Sequence, residues 1–176
     1  MTSLVITVLG PDRPGLVSAL SDKAAEHGAN WTDSIMANFA GQFAGIVQLE
    51  VPPENCDTLI AALRTLESPQ LRIVIARAQG GSATTATRRL QLDLVGHDRP
   101  GIIHGISSQL AQHSVSIYKL KTYIASGAMS GEQMFHMDAQ LTVPATLDTD
   151  ALRAGLESLA NELMVDISFD STTPFA

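Results

Sequence analysis

One hexapeptide occurs twice in this chain. Gly10-Pro11-Asp12-Arg13-Pro14-Gly15 returns 86 residues later as Gly96-His97-Asp98-Arg99-Pro100-Gly101, identical at five of six positions. At ordinary residue frequencies, such a match arises somewhere in a chain of this length on the order of once in a hundred chains. Its surroundings repeat as well. LVITVL precedes the first copy and LQLDLV the second. Apolar stripes at helical spacing follow each: Leu16, Val17, Leu20, Ala24, and then Ile102, Ile103, Ile106, Leu110. His27 and His113 keep the same offset, while Phe43 and Phe135 stand 92 apart, so the second copy has gained six residues in between. A chain of this kind writes one supersecondary unit twice.

The period of the apolar residues gives the elements of that unit. Residues 3–9 read as a strand and 14–27 as an amphipathic helix with Pro14 at its first position. Gly28 suits the left-handed residue that ends a helix. Residues 30–39 and 43–51 read as strands joined by a turn at Ala40-Gly41-Gln42. The helix at 54–67 places Leu59, Leu63 and Leu66 on one face, and 71–77 reads as a closing strand. The order is β-α-β-β-α-β, the split, ferredoxin-like arrangement of the α+β class, with an antiparallel sheet carrying both helices on one face. In the second copy Phe135, Met137, Ala139, Leu141 and Val143 alternate with His136, Asp138, Gln140 and Thr142, which implies a polar open face. We expect a first domain over 1–78, a Gly/Ser/Thr-rich linker over 79–87 and a second domain over 88–176.

Charge and composition remove several function classes. The net charge is −7, with 11 Lys and Arg against 18 Asp and Glu, and neither half has a basic patch. This argues against direct nucleic-acid binding. Cys56 is the single cysteine, so neither an internal disulfide nor a Cys/His zinc site is expected. No apolar run is long enough to span a membrane, and the first residues lack the basic start of a secretory signal. A cytoplasmic protein is the expectation. No nucleophile elbow, P-loop or GxGxxG occurs, which points away from an enzyme and from a cofactor. His97 and His104 flank the second turn without a defined third metal ligand, so no metal site is expected. His27 and His113 read as helix C-terminal caps, and Cys56 as a buried thiol.

The repeated turn itself has two readings. As a site, the helix start offers unpaired N–H groups and partial positive charge to a carboxylate. Gly15 and Gly101 leave room for close approach, and Asp12 and Asp98 can accept from a ligand ammonium or from the helix N–H groups. Asn30, at the head of the second strand, supplies both donor and acceptor. As structure, the same residues are ordinary helix-start chemistry, with Gly15 permitting tight helix–strand packing. The copies differ: Pro11 becomes His97, Gly28 becomes Ser114, Asn30 becomes Ser116 and Trp31 becomes Ile117. Ser116 is a shorter partner than Asn30, so the first copy is the better candidate. The lengthened hairpin Ala125–Gly131 is a candidate partner surface.

Strand, Gly-x-Asp-Arg-Pro-Gly, apolar helix, then Glu26-His27-Gly28-Ala29-Asn30 into a second strand: this succession resembles the ACT domain, twice over nearly the whole chain. A two-domain chain of this size is similar to the glycine cleavage system transcriptional repressor family. The resemblance implies a non-enzymatic sensor of a small ligand such as an amino acid, glycine among them. It would act on transcription through a protein partner, such as an activator, and assemble as a homodimer. It also implies ligand contacts from Gly10, Asp12, Arg13, Pro14, Gly15, Leu16, Asn30 and Trp31, and from Gly96, His97, Asp98, Arg99, Gly101, Ile102 and Ser116. The alternatives are a ligand-independent interaction scaffold and a regulatory subunit of a metabolic enzyme.

Overall fold

The computed structural model describes residues 1–78, 86–126 and 131–171. Most of the expected linker and the centre of the lengthened hairpin lie outside the described residues. The chain divides into two compact units, Met1–Ser82 and Ala83–Ala176.

The first unit runs β1 (Thr2–Pro11), α1 (Leu16–Glu26), β2 (Asn30–Phe39), β3 (Gln42–Val51), a short 3-10 turn at Pro53–Asn55, α2 (Cys56–Arg64) and β4 (Arg72–Arg77). The second runs β5 (Thr87–His97), α3 (Ile102–Gln112), β6 (Ser116–Ser126), β7 (Gln133–Pro144), α4 (Thr149–Leu163) and β8 (Val165–Ser171). Each unit forms one antiparallel four-stranded sheet, in the orders β2-β3-β1-β4 and β6-β7-β5-β8. The expected α+β architecture of two βαββαβ units is therefore present.

The apolar periodicity explains the cores. In the first unit Leu4, Ile6 and Val8 of β1 meet Val47 and Leu49 of β3, Leu16, Leu20 and Ala24 of α1, and Leu59 and Leu63 of α2. In the second, Leu92 and Leu94 meet Met137, Ala139 and Leu141 under Ile102, Ile106, Leu110, Leu152 and Leu156. Each sheet thus buries one face under two helices, because residues two apart in a strand share a face. Cys56 is buried at the start of α2, as expected of an inert thiol.

The hairpin after β2 turns at Ala40 (φ 50°) and Gly41 (φ 80°). Two successive positive φ values belong to the two-residue turn whose twist matches the flanking strands. Gly28 takes φ 65°, and the corresponding Ser114 takes φ 56°. No helix among the described residues is long and apolar enough to cross a membrane.

Candidate functional site

The repeated turn sits at the end of the central strand in both units. Its geometry corrects part of the sequence reading. The helix does not begin at Pro14. Gly15 is its N-cap, in the left-handed region at φ 89°, and Leu16 is the first helical residue. Gly101 does the same for α3 at φ 99°. An L side chain there is strained, so the glycine is required by conformation. Packing does not require it: a β-carbon on either residue would meet nothing within 4 Å. The tight-packing reading of Gly15 is overturned, and the space above both glycines is open.

Close packing instead involves the glycine that opens the hexapeptide. A β-carbon at Gly10 would lie 2.7 Å from the Gln70 carbonyl oxygen and 3.2 Å from the Leu71 Cα. One at Gly96 would lie 2.9 Å from Val165 Cβ. Both glycines let the start of the last strand cross the end of the first.

Asp12 does not cap α1. Its Oδ2 accepts from the Asn38 side-chain amide at 2.6 Å, and its backbone N–H donates to the Gly41 carbonyl at 3.0 Å. The turn is therefore tied to the tip of the β2–β3 hairpin. Neither α1 nor α3 has a side-chain cap or an acidic residue in its first turn, whereas α4 is capped by Asp148, which accepts from the Asp150 N–H at 2.9 Å. The two helices that follow the repeated turn keep their first N–H groups available.

The two turns then diverge. Arg13 lines a cavity of about 80 Å³ together with Pro14, Gly15, Ala19, Leu66 and Leu71. Arg99 donates instead to the Glu162 carbonyl at 3.0 Å, at the C-terminal end of α4, where a cation meets the negative end of the helix dipole. In the second unit Gly105 replaces Ala19, and a β-carbon on it would stand 3.4 Å from methyl groups of both Leu159 and Leu163. α4 is six residues longer than α2, 15 against 9, and Leu163 belongs to that extension. Leu159 and Leu163 thus pack over the helix face that the first unit leaves as a cavity.

Asn30 lies far from its own turn. The register pairs Asn30 with Glu50, and Glu50 with Ser3, while Pro11 pairs with Gln42. The eight residues from Ser3 to Pro11 place Asn30 about 27 Å along the sheet from the turn. One unit cannot bring both to one small ligand. Ser116, opposite Thr142, holds the matching remote position in the second unit, and His97 pairs with Met134 at the turn end. Trp31 is partly buried against the first core, and Leu16 and Ile102 point into their cores. His97 Nδ1 lies 3.5 Å from Glu132 Oε2. Among the described residues no group of His, Cys, Asp or Glu side chains is placed to hold a metal ion. His27 and His113 occupy the C-cap positions of α1 and α3.

Asn38, Ala19, Leu66 and Leu71 are not among the site residues expected from sequence, where Leu66 reads only as part of an apolar helix face. The available signal is Asn38 as the polar residue amid Ile35, Met36, Ala37 and Phe39. The other three read as ordinary core residues.

Two ferredoxin-like βαββαβ units in tandem, each with an uncapped helix behind a glycine turn, define the class of fold. The ACT domain profile matches residues 2–73 and 88–170, and the chain belongs to that family. It is similar to the glycine cleavage system transcriptional repressor of Escherichia coli, 27% identical over 168 residues that cover 91% of this chain and 85% of that protein. A crystal structure of a protein of unknown function from Galdieria sulphuraria matches with a TM-score of 0.85 at 28% identity, covering 98% of this chain and 99% of that one. A crystal structure assigned to a glycine cleavage system transcriptional repressor matches with a TM-score of 0.65 over 96% of both chains, and at 22% identity that likeness concerns the fold.

Proposed function

We propose that the chain is a non-enzymatic regulatory protein that senses a small amino acid at its first turn and modulates transcription through a protein partner. The observation that carries this reading is the open cavity beside an uncapped helix start, present at Arg13–Leu16. A ligand carboxylate would sit on the free N–H groups of α1, and Asp12 would face its ammonium. The cavity, about 80 Å³, equals the share of two or three liquid waters, a size that favours the smallest amino acids, such as glycine or alanine. Residues 79–87 serve in this reading as the linker between the two regulatory units. The likeness to the Escherichia coli repressor supports the transcriptional role, and the acidic charge favours a protein partner over DNA.

Asn30 completes the site from a second chain, because its distance from its own turn excludes it there. The functional unit is then a homodimer. Titration calorimetry with glycine, alanine and serine tests the reading. Glycine or alanine should bind, and Ala19→Leu, which fills the cavity from a helix position, should abolish binding while the protein stays folded. Absence of binding by all three amino acids would remove the sensing reading.

One observation favours a second reading, an interaction scaffold without ligand. On the open face of the first sheet Leu9, Ile35, Ile46 and Val74 are all exposed, next to Phe39 at 70% exposure. A partner held there regardless of amino acids would identify the scaffold.

A further inference from the structure

The open faces of the two sheets are built from different chemistry on the same frame. Pairing relates them position by position. Thr7 pairs with Ile46 where Asp93 pairs with Asp138, and Ile35 faces Ile46 where Lys121 faces Asp138. Ala37 and Ala44 stand where Tyr123 and His136 stand in the second unit. The first unit shows that the fold accepts small or aliphatic residues at these places. The charged and aromatic set in the second unit therefore needs a reason other than folding.

That set, joined by Asp166 where the first unit has Arg72, surrounds a concavity of about 400 Å³ on the open face, lined by Asp93, Asp138, Asp166, Lys121, Tyr123 and His136 among others. The Tyr123 and His136 rings are stacked, with centroids 4.7 Å apart and planes within 2°. They form a flat wall with the tyrosine half exposed. Asp93 and Asp138 sit directly opposite each other on β5 and β7, an arrangement that costs stability in a sheet. Gln91 Nε2 donates to both carboxylates, at 3.1 and 2.7 Å, and fixes them side by side. Among the described residues neither of these aspartates, nor Asp166, has an ion-pair partner. The Lys121 ammonium lies over the Tyr123 ring, 5.7 Å from its centre, and forms no ion pair with them.

Three carboxylates share the concavity with the single ammonium of Lys121, and this excess of negative charge calls for positive charge. A bare metal ion does not fit, because among the described residues no three such ligands converge on one point. An extended cation with several N–H donors matches carboxylates spread over three strands, and an aromatic wall attracts its charge or packs against its hydrocarbon. We propose that the open face of the second sheet is a binding site for an ammonium or guanidinium group, held by Asp93, Asp138 and Asp166 with Tyr123 as its flank. The group can arrive on a free small amine or on a basic side chain of a partner protein. The site lies on a different surface from the turn and stands whether or not the turn binds an amino acid.

The test uses the full chain at fixed ionic strength, with agmatine and an Arg-Lys peptide as probes, read by calorimetry and by the NMR signals of the His136 and Tyr123 rings. At least one probe should bind and shift those ring signals, agmatine identifying the small-amine source and the peptide alone the protein source. Asp93→Asn with Asp138→Asn should weaken binding at least tenfold while folding at least as well as the parent, since a like-charge pair is removed. The control Asp22→Asn with Glu157→Gln removes the same charge from two helix surfaces. Equal weakening by the control would reduce the effect to bulk charge and overturn the site. So would unchanged binding in the Asp93/Asp138 variant, ring signals that do not move, or failure of both probes to bind the parent at millimolar concentration.

Discussion

The Asn38 side-chain amide donates to Asp12 Oδ2 at 2.6 Å and so ties the first turn to the hairpin tip. Asn38 stands opposite Phe43, and at the matching place opposite Phe135 the second unit has Ile124. Among the described residues Asp98 therefore has no amide partner of this kind. Its backbone N–H still donates to the Gln133 carbonyl at 3.0 Å, as Asp12 does to Gly41. The backbone tie is common to both units and the side-chain tie belongs to the first.

Asn38→Ala should destabilise the first unit by about 0.5–1.5 kcal/mol, the net worth of a typical hydrogen bond, because solvent exposure weakens the extra contribution of the charged acceptor. Trp31 is the only tryptophan and packs against the first core, so its fluorescence reports that unit selectively during urea unfolding. Ile124→Ala, at the matching place, should leave the Trp31 transition where it was. A shift of the Trp31 midpoint by Ile124→Ala but none by Asn38→Ala would contradict the assignment of the tie.

Ser114 adopts φ 56° where Gly28 adopts φ 65°. A side chain in the left-handed region costs about 1 kcal/mol, and glycine avoids that cost at some loss of chain entropy on folding. Ser114→Gly should therefore stabilise the second unit by roughly 0.5–1 kcal/mol, and Gly28→Ser should destabilise the first by a similar amount. Thermal unfolding followed by circular dichroism checks the pair, and opposite signs are the expected outcome.

The sequence made the fold legible because its evidence is local or periodic. Two turns with the same six-residue pattern, strands at period two and helices at period 3.6 determine the βαββαβ order without knowledge of long-range pairing. The candidate site was less legible, for three physical reasons. Pro14 before Gly15 reads as a helix start, yet the left-handed Gly15 moves the start to Leu16. Asp12 reads as a cap, and only the hairpin's return brings Asn38 within reach of it. Asn30 follows the turn by a few residues beyond one helix, but antiparallel pairing sends it to the far end of the sheet. In the second copy the polar open face was readable from the His136–Thr142 alternation. The aliphatic open face of the first copy was not, because Ile35 and Ile46 look like core residues until the register puts them opposite the helices.

Gly10 and Gly96 are assigned here to the crossing of the first and last strands. Gly10→Ala drives a methyl group to 2.7 Å from the Gln70 carbonyl, and Gly96→Ala to 2.9 Å from Val165 Cβ. Each should cost about 1–3 kcal/mol, the usual range for overpacking. Gly105→Ala is the contrasting case. Its methyl would sit at ordinary contact distance, 3.4 Å from Leu159 and Leu163, and alanine is the better helix former, so it should be neutral or stabilising by up to about 1 kcal/mol. Chemical denaturation of the three variants distinguishes packing glycines from a merely small helix residue.

The separation of Asn30 from its own turn makes the proposed sensor open to a complementation test. If each site takes its turn from one chain and Asn30 from another, Asp12→Ala and Asn30→Ala should each abolish amino-acid binding in a homodimer. A dimer containing one chain of each kind has one site with both defects and one with neither, because a two-fold interface exchanges the same residues in both directions. Random mixing makes half of the dimers mixed, so roughly a quarter of the binding capacity should return after subunits exchange. Calorimetry on the mixture, before and after exchange, measures it. Recovery can arise only from a site shared between chains. Two inactive variants that stay inactive when mixed, in a population shown by mass spectrometry to contain mixed dimers, would place Asn30 outside the site.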